Sequence, residues 1–297
     1  MFTAATIFVL LANAMVGEAA WTETSVPVKL SLSPGPRIRG HPQPIVKGYV
    51  SDWQPIERIG VYSAALESRK VNLRSFFHSI GFTGDNVQIF DAIIPDEAYR
   101  ARLKVETKLL PDSKLTLGEL GCKMSHMMML QAFVKQHQYD YAVVFEDDVA
   151  LNSTLMESLN STLGDTIEEI ARGQSTYNWQ AINLGRCFDQ CWNDQILGDA
   201  TSQSDELKVV NSTRPSCSHA YMVSKQGAAM LLEWAEHTKN RMASDNAMMA
   251  LSKNNENFTY FAITPRLFQQ SVEATDSMHS NGATRECDVE KEVESIS

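Results

Sequence analysis

Apolar residues along this chain fall into short blocks of two kinds. The stretches "RIGVYSAA" (58–65), "VQIFDAI" (87–93) and "YAVVF" (141–145) are compact runs bounded by polar residues, and they read as buried strands. Between them the apolar positions return at helical spacing. Val71, Leu73, Phe76, Phe77 and Ile80 fit a helix opened by Ser68 and running to Ile80, and Thr116 with Glu119 forms a capping-box pattern ahead of a helix to about His137. Further along, the pattern predicts a helix near Leu155 to Ala171 and strands at "WQAINL" (179–184) and "HAYMVS" (219–224). A helix from about Lys225 to His237, another opened by Ser244 and a strand at "FTYFAIT" (258–264) complete the series. Strands alternating with helices imply an α/β fold, a mostly parallel sheet with helices on both faces.

The two ends read differently. Residues 1–20 carry an apolar run from about Ile7 to Val16, then small residues at Gly17, Ala19 and Ala20, as a signal peptide does; the run is too short to span a bilayer. It lacks a basic n-region, so a plain apolar terminus is the competing reading. Residues 21–55 contain "SLSPGPRIRGHPQP" without periodicity and read as an extended stem, residues 56–285 as the folded domain, and 286–297 as an acidic disordered tail. Asn152, Asn160, Asn211 and Asn257 each begin an Asn-x-Ser/Thr triplet, which together with the leader points to the secretory pathway: endoplasmic reticulum or Golgi lumen, or export.

Composition narrows the partners. With 297 residues, 43% of them hydrophobic, the chain is able to bury a sizeable core, and its net charge of -10 argues against nucleic acid or an anionic membrane as partner. A phosphate-bearing ligand then needs a divalent cation to supply positive charge. The five cysteines include Cys187, Cys191 and Cys217, for which zinc binding with His219 and disulfides in an oxidising lumen are the two readings, the disulfide the plainer.

Chemistry concentrates in two stretches. "YAVVFEDDVAL" (141–151) runs from an apolar strand into Glu146, Asp147 and Asp148, and three carboxylates at a strand exit call for water, a helix N-terminus, a basic cluster or a metal. In open α/β sheets ligands bind outside the carboxyl ends of strands, which is where this triplet falls. "LTLGELGCKMSHMMML" (115–130) is apolar on nearly every side, so Glu119, Ser125 and His126 need partners inside it. At 100° per residue, Glu119 and His126 fall within about 20° on one helix face, as a structural pair or as ligands.

These blocks, in the order "ESRK", "LTLGELGCKMSH", "YAVVFEDDV", "HAYMVSKQGAAMLL" and "TPRLFQQ", resemble glycosyltransferase family 25, which includes lipooligosaccharide and collagen galactosyltransferases. The resemblance runs from about Arg58 to Gln270 and implies a GT-A fold, a nucleotide-sugar donor (a UDP-sugar), a glycan or glycoprotein acceptor and inversion at the anomeric carbon. It implies a divalent metal, manganese first and magnesium second, on Glu146 and Asp148, with His279 from a late loop. Arg69, Glu119, Ser125, His126 and Asp147 fall to the donor side, and Asp245 to the general base. Asp245 has a competing reading as an acidic residue serving its own helix start. The implied reaction is transfer of a sugar, galactose by the family's habit, to a hydroxyl. The alternatives are an inactive relative that binds glycan or nucleotide, and a secreted calcium-binding module.

Overall fold

The computed structural model describes residues 58–271 apart from 83, 154, 156–161, 188–190 and 203. The leader, the stem, the acidic tail, His279 and the acceptor at Asn160 lie outside the described residues. In chain order the elements are β1 (Ile59–Ala65), α1 (Lys70–Ser79), β2 (Val87–Asp91), α2 (Glu97–Val105), α3 (Leu117–Lys135), β3 (Tyr141–Glu146), β4 (Val149–Leu151), α4 (Leu163–Arg172) and α5 (Gln174–Tyr177). They continue with β5 (Ala181–Asn183), β6 (Gln195–Asp199), β7 (Lys208–Asn211), β8 (Ala220–Ser224), α6 (Lys225–His237), α7 (Ser244–Asn254), β9 (Tyr260–Thr264) and β10 (Phe268–Gln270).

Eight strands form one sheet in the order β2-β1-β3-β8-β5-β9-β7-β6, and β10 pairs with β4 in a separate ribbon. β1 runs parallel to β2 and β3, and β5 parallel to β9. β8 is antiparallel to both β3 and β5, and β7 to both β9 and β6. Only β8 and β7 therefore oppose the common direction, and the expected α/β sheet, mostly of one sense, is the one observed.

Period-two alternation along the strands divides the core into two layers. Val143 and Phe145 of β3 join Leu73 and Phe77 of α1 and Ile167 of α4 on one face. Ala142 and Val144 turn the other way, onto Met129, Leu130 and Phe133 of α3, Leu231 of α6 and Met248 of α7. Each fully buried Leu, Met or Phe in these layers contributes about 1.5–3 kcal/mol, so the sheet end that carries Glu146 is held from both sides.

α3 is the central helix of the second layer. Its start is fixed by a complete capping box: the Thr116 hydroxyl accepts from the Glu119 N–H at 3.2 Å, and the Glu119 carboxylate accepts from the Thr116 N–H at 2.7 Å. Gly121 lets the loop after β2 lie directly on the helix, since a Cβ there would stand 2.5 Å from the Ile93 carbonyl oxygen and 2.8 Å from Pro95 Cδ. Ser125, one turn on, accepts the Ile93 N–H at 2.9 Å and pins the same loop.

Several boundaries differ from the pattern reading. α1 starts at Lys70 with Arg69 as its uncapped N-terminal residue, because the chain turns through Leu66–Arg69 and the Arg69 side chain is drawn to Asp147. α7 is preceded by Ala243, which provides no side-chain cap, and Ser244 lies inside the helix with its hydroxyl buried and unpartnered among the described residues. α2 is short and polar and β4 and β10 have three residues each, too few to show a period, while β6 is mostly exposed. Gly121→Ala is expected to cost about 1–3 kcal/mol, because backbone, not a flexible side chain, occupies the space. Urea denaturation measures this, and an unchanged midpoint contradicts the packing described.

Candidate active site at the exit of strand β3

β3 ends at Glu146, the chain turns through Asp147 and Asp148, and β4 leaves to pair with β10. The three carboxylates are treated differently by their surroundings. Among the described residues, the side-chain hydrogen bonds of Glu146 converge on one oxygen, Oε1: His126 Nε2 at 3.1 Å, the Ser218 hydroxyl at 2.8 Å and the Cys122 thiol at 3.6 Å. The side chain keeps 23% exposure, and none of these three bonds uses Oε2. Asp147 has both oxygens committed, Oδ2 to the Leu66 N–H at 2.9 Å and Oδ1 to Arg69 Nη1 at 2.8 Å, so it ties the turn after β1 to the exit of β3. Asp148 accepts from Gln270 Nε2 at 3.2 Å through Oδ2, while its Oδ1 is buried without a partner among the described residues.

Electrostatics separate the pair on either side of Asp147. Burial pushes the Glu146 carboxyl up, but the hydrogen bond and charge of His126, then Ser218 and His219, outweigh it and hold Glu146 well below the usual carboxylate range. Asp148 goes the other way: burial first, then the charges of Glu146 and Asp147, push it up to about 7 against the pull of Arg69. An ionised Glu146 beside an Asp148 that resists ionising is a site lacking positive charge. Hard oxygen donors with an unpartnered buried oxygen fit manganese or magnesium, and Glu146 Oε2 and Asp148 Oδ1 are the atoms that would hold it.

A strap from Pro215 to Ser218 shapes the neighbouring wall. Asn183 at the end of β5 donates through Nδ2 to the carbonyls of Pro215, Ser216 and Cys217 at 3.2, 3.2 and 2.8 Å. Cys217 is disulfide-bonded to Cys187 with a Cα–Cα distance of 5.7 Å, so these sulfurs are not thiolates and the zinc reading with His219 loses two of its donors. From this strap Ser218 reaches Glu146, and the Cys217 N–H donates to Asp245 Oδ2 at 3.1 Å. The other Asp245 oxygen accepts the Asn246 N–H at 2.7 Å, so Asp245 serves both its own helix start and the strap. Burial raises the Cys122 thiol well above its ordinary value, and the charges of Glu146, Asp245 and Asp148 add to the shift.

Glu146, Asp147, Asp148, Arg69, His126 and Asp245 are thus gathered at one end of the sheet. Glu119 is not paired with His126: two helical turns separate them by about 10 Å along the axis, and the capping box takes the carboxylate. Ser125 holds the loop after β2 rather than facing the triplet. Cys122, Asn183, Ser218, Tyr221 and Gln270 were not singled out as site residues by sequence reasoning. Tyr221 is buried and its hydroxyl meets His126 Nδ1 at 3.1 Å. Lys123 is buried and has its ammonium pulled down to about 8 by burial. The periodic signal marks such residues as core and says nothing of what a polar end touches.

The fold and this arrangement define an α/β protein with a cluster of three carboxylates at a strand exit. Residues 61–248 match the model of glycosyltransferase family 25 (LPS biosynthesis protein), and the chain belongs to that family. It is 25% identical over 194 residues to a glycosyltransferase 25 family member of Aedes aegypti, covering 60% of this chain and 29% of that protein. It is also 27% identical over 100 residues to a Haemophilus influenzae protein with a provisional glycosyltransferase description, covering 33% of this chain and 35% of that one. The matches thus span about a third of each relative's length. Among solved structures, mouse xyloside xylosyltransferase 1 in its apo form superposes with a TM-score of 0.35 at 10% identity, over 68% of this chain and 71% of that one.

The opposed shifts give a pH signature. The unfolded chain releases the Asp148 proton near 3.8 and the folded protein holds it to about 7, so stability without divalent cation falls as pH rises from about 4 to about 7. Glu146 works in the opposite sense, adding stability above its ordinary value of 4.5 that is lost as pH falls below it. Asp148→Asn is expected to remove the decline between pH 4 and 7, worth ~1–3 kcal/mol after solvent screening. Melting temperatures at pH 5 and pH 8 with a chelator present check this; equal pH dependence in both proteins contradicts the account of Asp148.

Proposed function

We propose that this domain is a metal-dependent, inverting glycosyltransferase that moves a sugar, galactose, from a UDP-sugar to a hydroxyl of a glycan or glycoprotein. The observation that supports it most is a strand exit within a family 25 chain where Asp148 Oδ1 is buried without a partner among the described residues and the side-chain hydrogen bonds of Glu146 all fall on Oε1. When a nucleotide sugar breaks, negative charge builds on the departing diphosphate, and a divalent cation at Glu146 Oε2 and Asp148 Oδ1 supplies the charge that stabilises it. Arg69 stands at the edge of the same site, with its guanidinium oriented by Asp147 and further N–H groups to offer the donor. His126 and Ser218 act on the ligand through Glu146, by saturating one oxygen and aiming the other.

Asp245 is the base in this reading. Inversion in one displacement needs one group to take the acceptor hydroxyl's proton, and Asp245 is a carboxylate held by the Cys217 N–H, next in the strap to the Ser218 that reaches Glu146. His279 is the further metal ligand carried by the family resemblance.

Two comparisons test the reading. A nucleoside diphosphate should stabilise the wild-type protein only with manganese or magnesium present, by about 2.7 kcal/mol at a hundred times its dissociation constant, and Asp148→Ala should abolish that response together with turnover. Asp245→Asn should keep donor affinity and lower turnover by about 100-fold to 10,000-fold. Stabilisation that survives chelation contradicts the metal-bridged donor, and near-wild-type turnover in Asp245→Asn removes that residue from the mechanism.

The secretory compartment belongs to the same proposal, and the structure ranks its acceptor asparagines. Asn211 and Asn257 are exposed, whereas Asn152 donates through Nδ2 to the Arg266 carbonyl at 2.9 Å and so has its amide engaged. Protein from a eukaryotic secretory host is expected to carry glycans at Asn211 and Asn257 and none at Asn152. Peptide mapping reads this directly, and full occupancy of Asn152 with bare Asn211 and Asn257 would contradict it.

A further inference from the structure

We propose that Cys122, His126 and the Oε1 side of Glu146 form a second cation site, selective for a borderline-soft divalent ion such as zinc, on the opposite face of the carboxylate from the manganese or magnesium position. Three ligand atoms from these residues lie within 4.8 Å of one another. Cys122 and His126 are four residues apart on α3, so they share one helix face, and Glu146 comes to them from the end of β3.

The spacing matches zinc. With Zn–N and Zn–O near 2.0–2.1 Å and Zn–S near 2.3 Å, a tetrahedral site has ligand-to-ligand edges of about 3.3 Å from N to O and about 3.6 Å from S to O. The observed separations are 3.1 Å from His126 Nε2 to Glu146 Oε1 and 3.6 Å from Cys122 Sγ to the same oxygen. Small movements apart would admit the ion. The outer support is also present: Tyr221 meets His126 Nδ1 at 3.1 Å and, as a hydroxyl, accepts the Nδ1–H when Nε2 turns its lone pair to a metal. Three protein ligands leave a fourth position for water.

Binding displaces protons from the thiol and from the imidazole nitrogen that ligates. Cys122 gives its S–H proton to solvent as the sulfur–metal bond forms; His126 releases its Nε2–H proton to solvent as the nitrogen–metal bond forms and keeps or takes up one on Nδ1, and the ion replaces the thiol and imidazole hydrogen bonds on Oε1. A thiolate and an imidazole select zinc over manganese and magnesium, which take oxygen ligands. Because Oε1 and Oε2 belong to one carboxylate, zinc on Oε1 takes up its charge and repels a second cation at Oε2, so it competes with the hard-cation position. That consequence rests on the proposed function; the zinc site itself does not.

Cobalt serves as the spectroscopic probe for zinc in the purified, full-length chain. One equivalent of cobalt should bind and produce a sulfur-to-cobalt charge-transfer absorption, displaced by zinc and absent from Cys122→Ser, whose zinc affinity should fall at least 10-fold. Since that variant is open to misfolding, the wild type is tested in parallel: zinc, and not manganese, should protect Cys122 from thiol alkylation, mapped at the Cys122 peptide. Cobalt binding without the sulfur band, or Cys122 alkylated at one rate with and without zinc, overturns the site. Zinc should also erase the manganese-dependent stabilisation by a nucleoside diphosphate. If zinc binds and that stabilisation never existed, the glycosyltransferase reading fails while the zinc site stands.

Discussion

Three adjacent carboxylates at the end of a buried strand cannot all remain ionised without compensation, and the architecture around β3 is arranged to meet that constraint. Asp147 is neutralised by Arg69 and by a backbone N–H from the turn after β1. Glu146 is held ionised by donors from α3 and from the strap before β8. Asp148 is left with a buried oxygen unpaired among the described residues, where a further positive charge would be met. The same three residues thereby connect β1, α3, β8 and β10, and the site and the sheet end form one structural unit.

That arrangement explains why antiparallel β8 lies between β3 and β5. The Glu146 N–H donates to the His219 carbonyl at 3.0 Å, one residue after Ser218 and one before β8, so the start of β8 lies beside the end of β3. An antiparallel neighbour brings the entry of one strand to the exit of another. A parallel neighbour would have brought its own exit there and left the Ser218 hydroxyl elsewhere. Asn183, at the exit of the next strand, then holds the carbonyls of the same strap.

Much of this was legible in the sequence, for identifiable reasons. The capping box at Thr116 and Glu119, the apolar length of α3 and the run "YAVVF" are local patterns, and local patterns survive folding. The placement of Glu146 to Asp148 followed from the strand ending where polarity begins. What could not be read were partners that depend on how distant segments meet: Ser218 with Glu146 across 72 residues, Gln270 with Asp148 across 122. The alignment of Glu119 with His126 was right in angle and wrong in consequence, since the local cap is closer to Glu119 than a residue two turns away. Ser68 and Ser244 have the composition of helix caps, but the turn at Leu66 and the position of Ala243 set those boundaries.

The central claim, that Glu146 Oε2 and Asp148 Oδ1 hold a divalent cation, is tested most directly by anomalous diffraction from crystals grown with manganese. The account predicts one manganese peak within about 2.5 Å of both Glu146 Oε2 and Asp148 Oδ1. A fully occupied manganese at another place in the domain, with these two oxygens hydrogen-bonded only to protein or water, would contradict it.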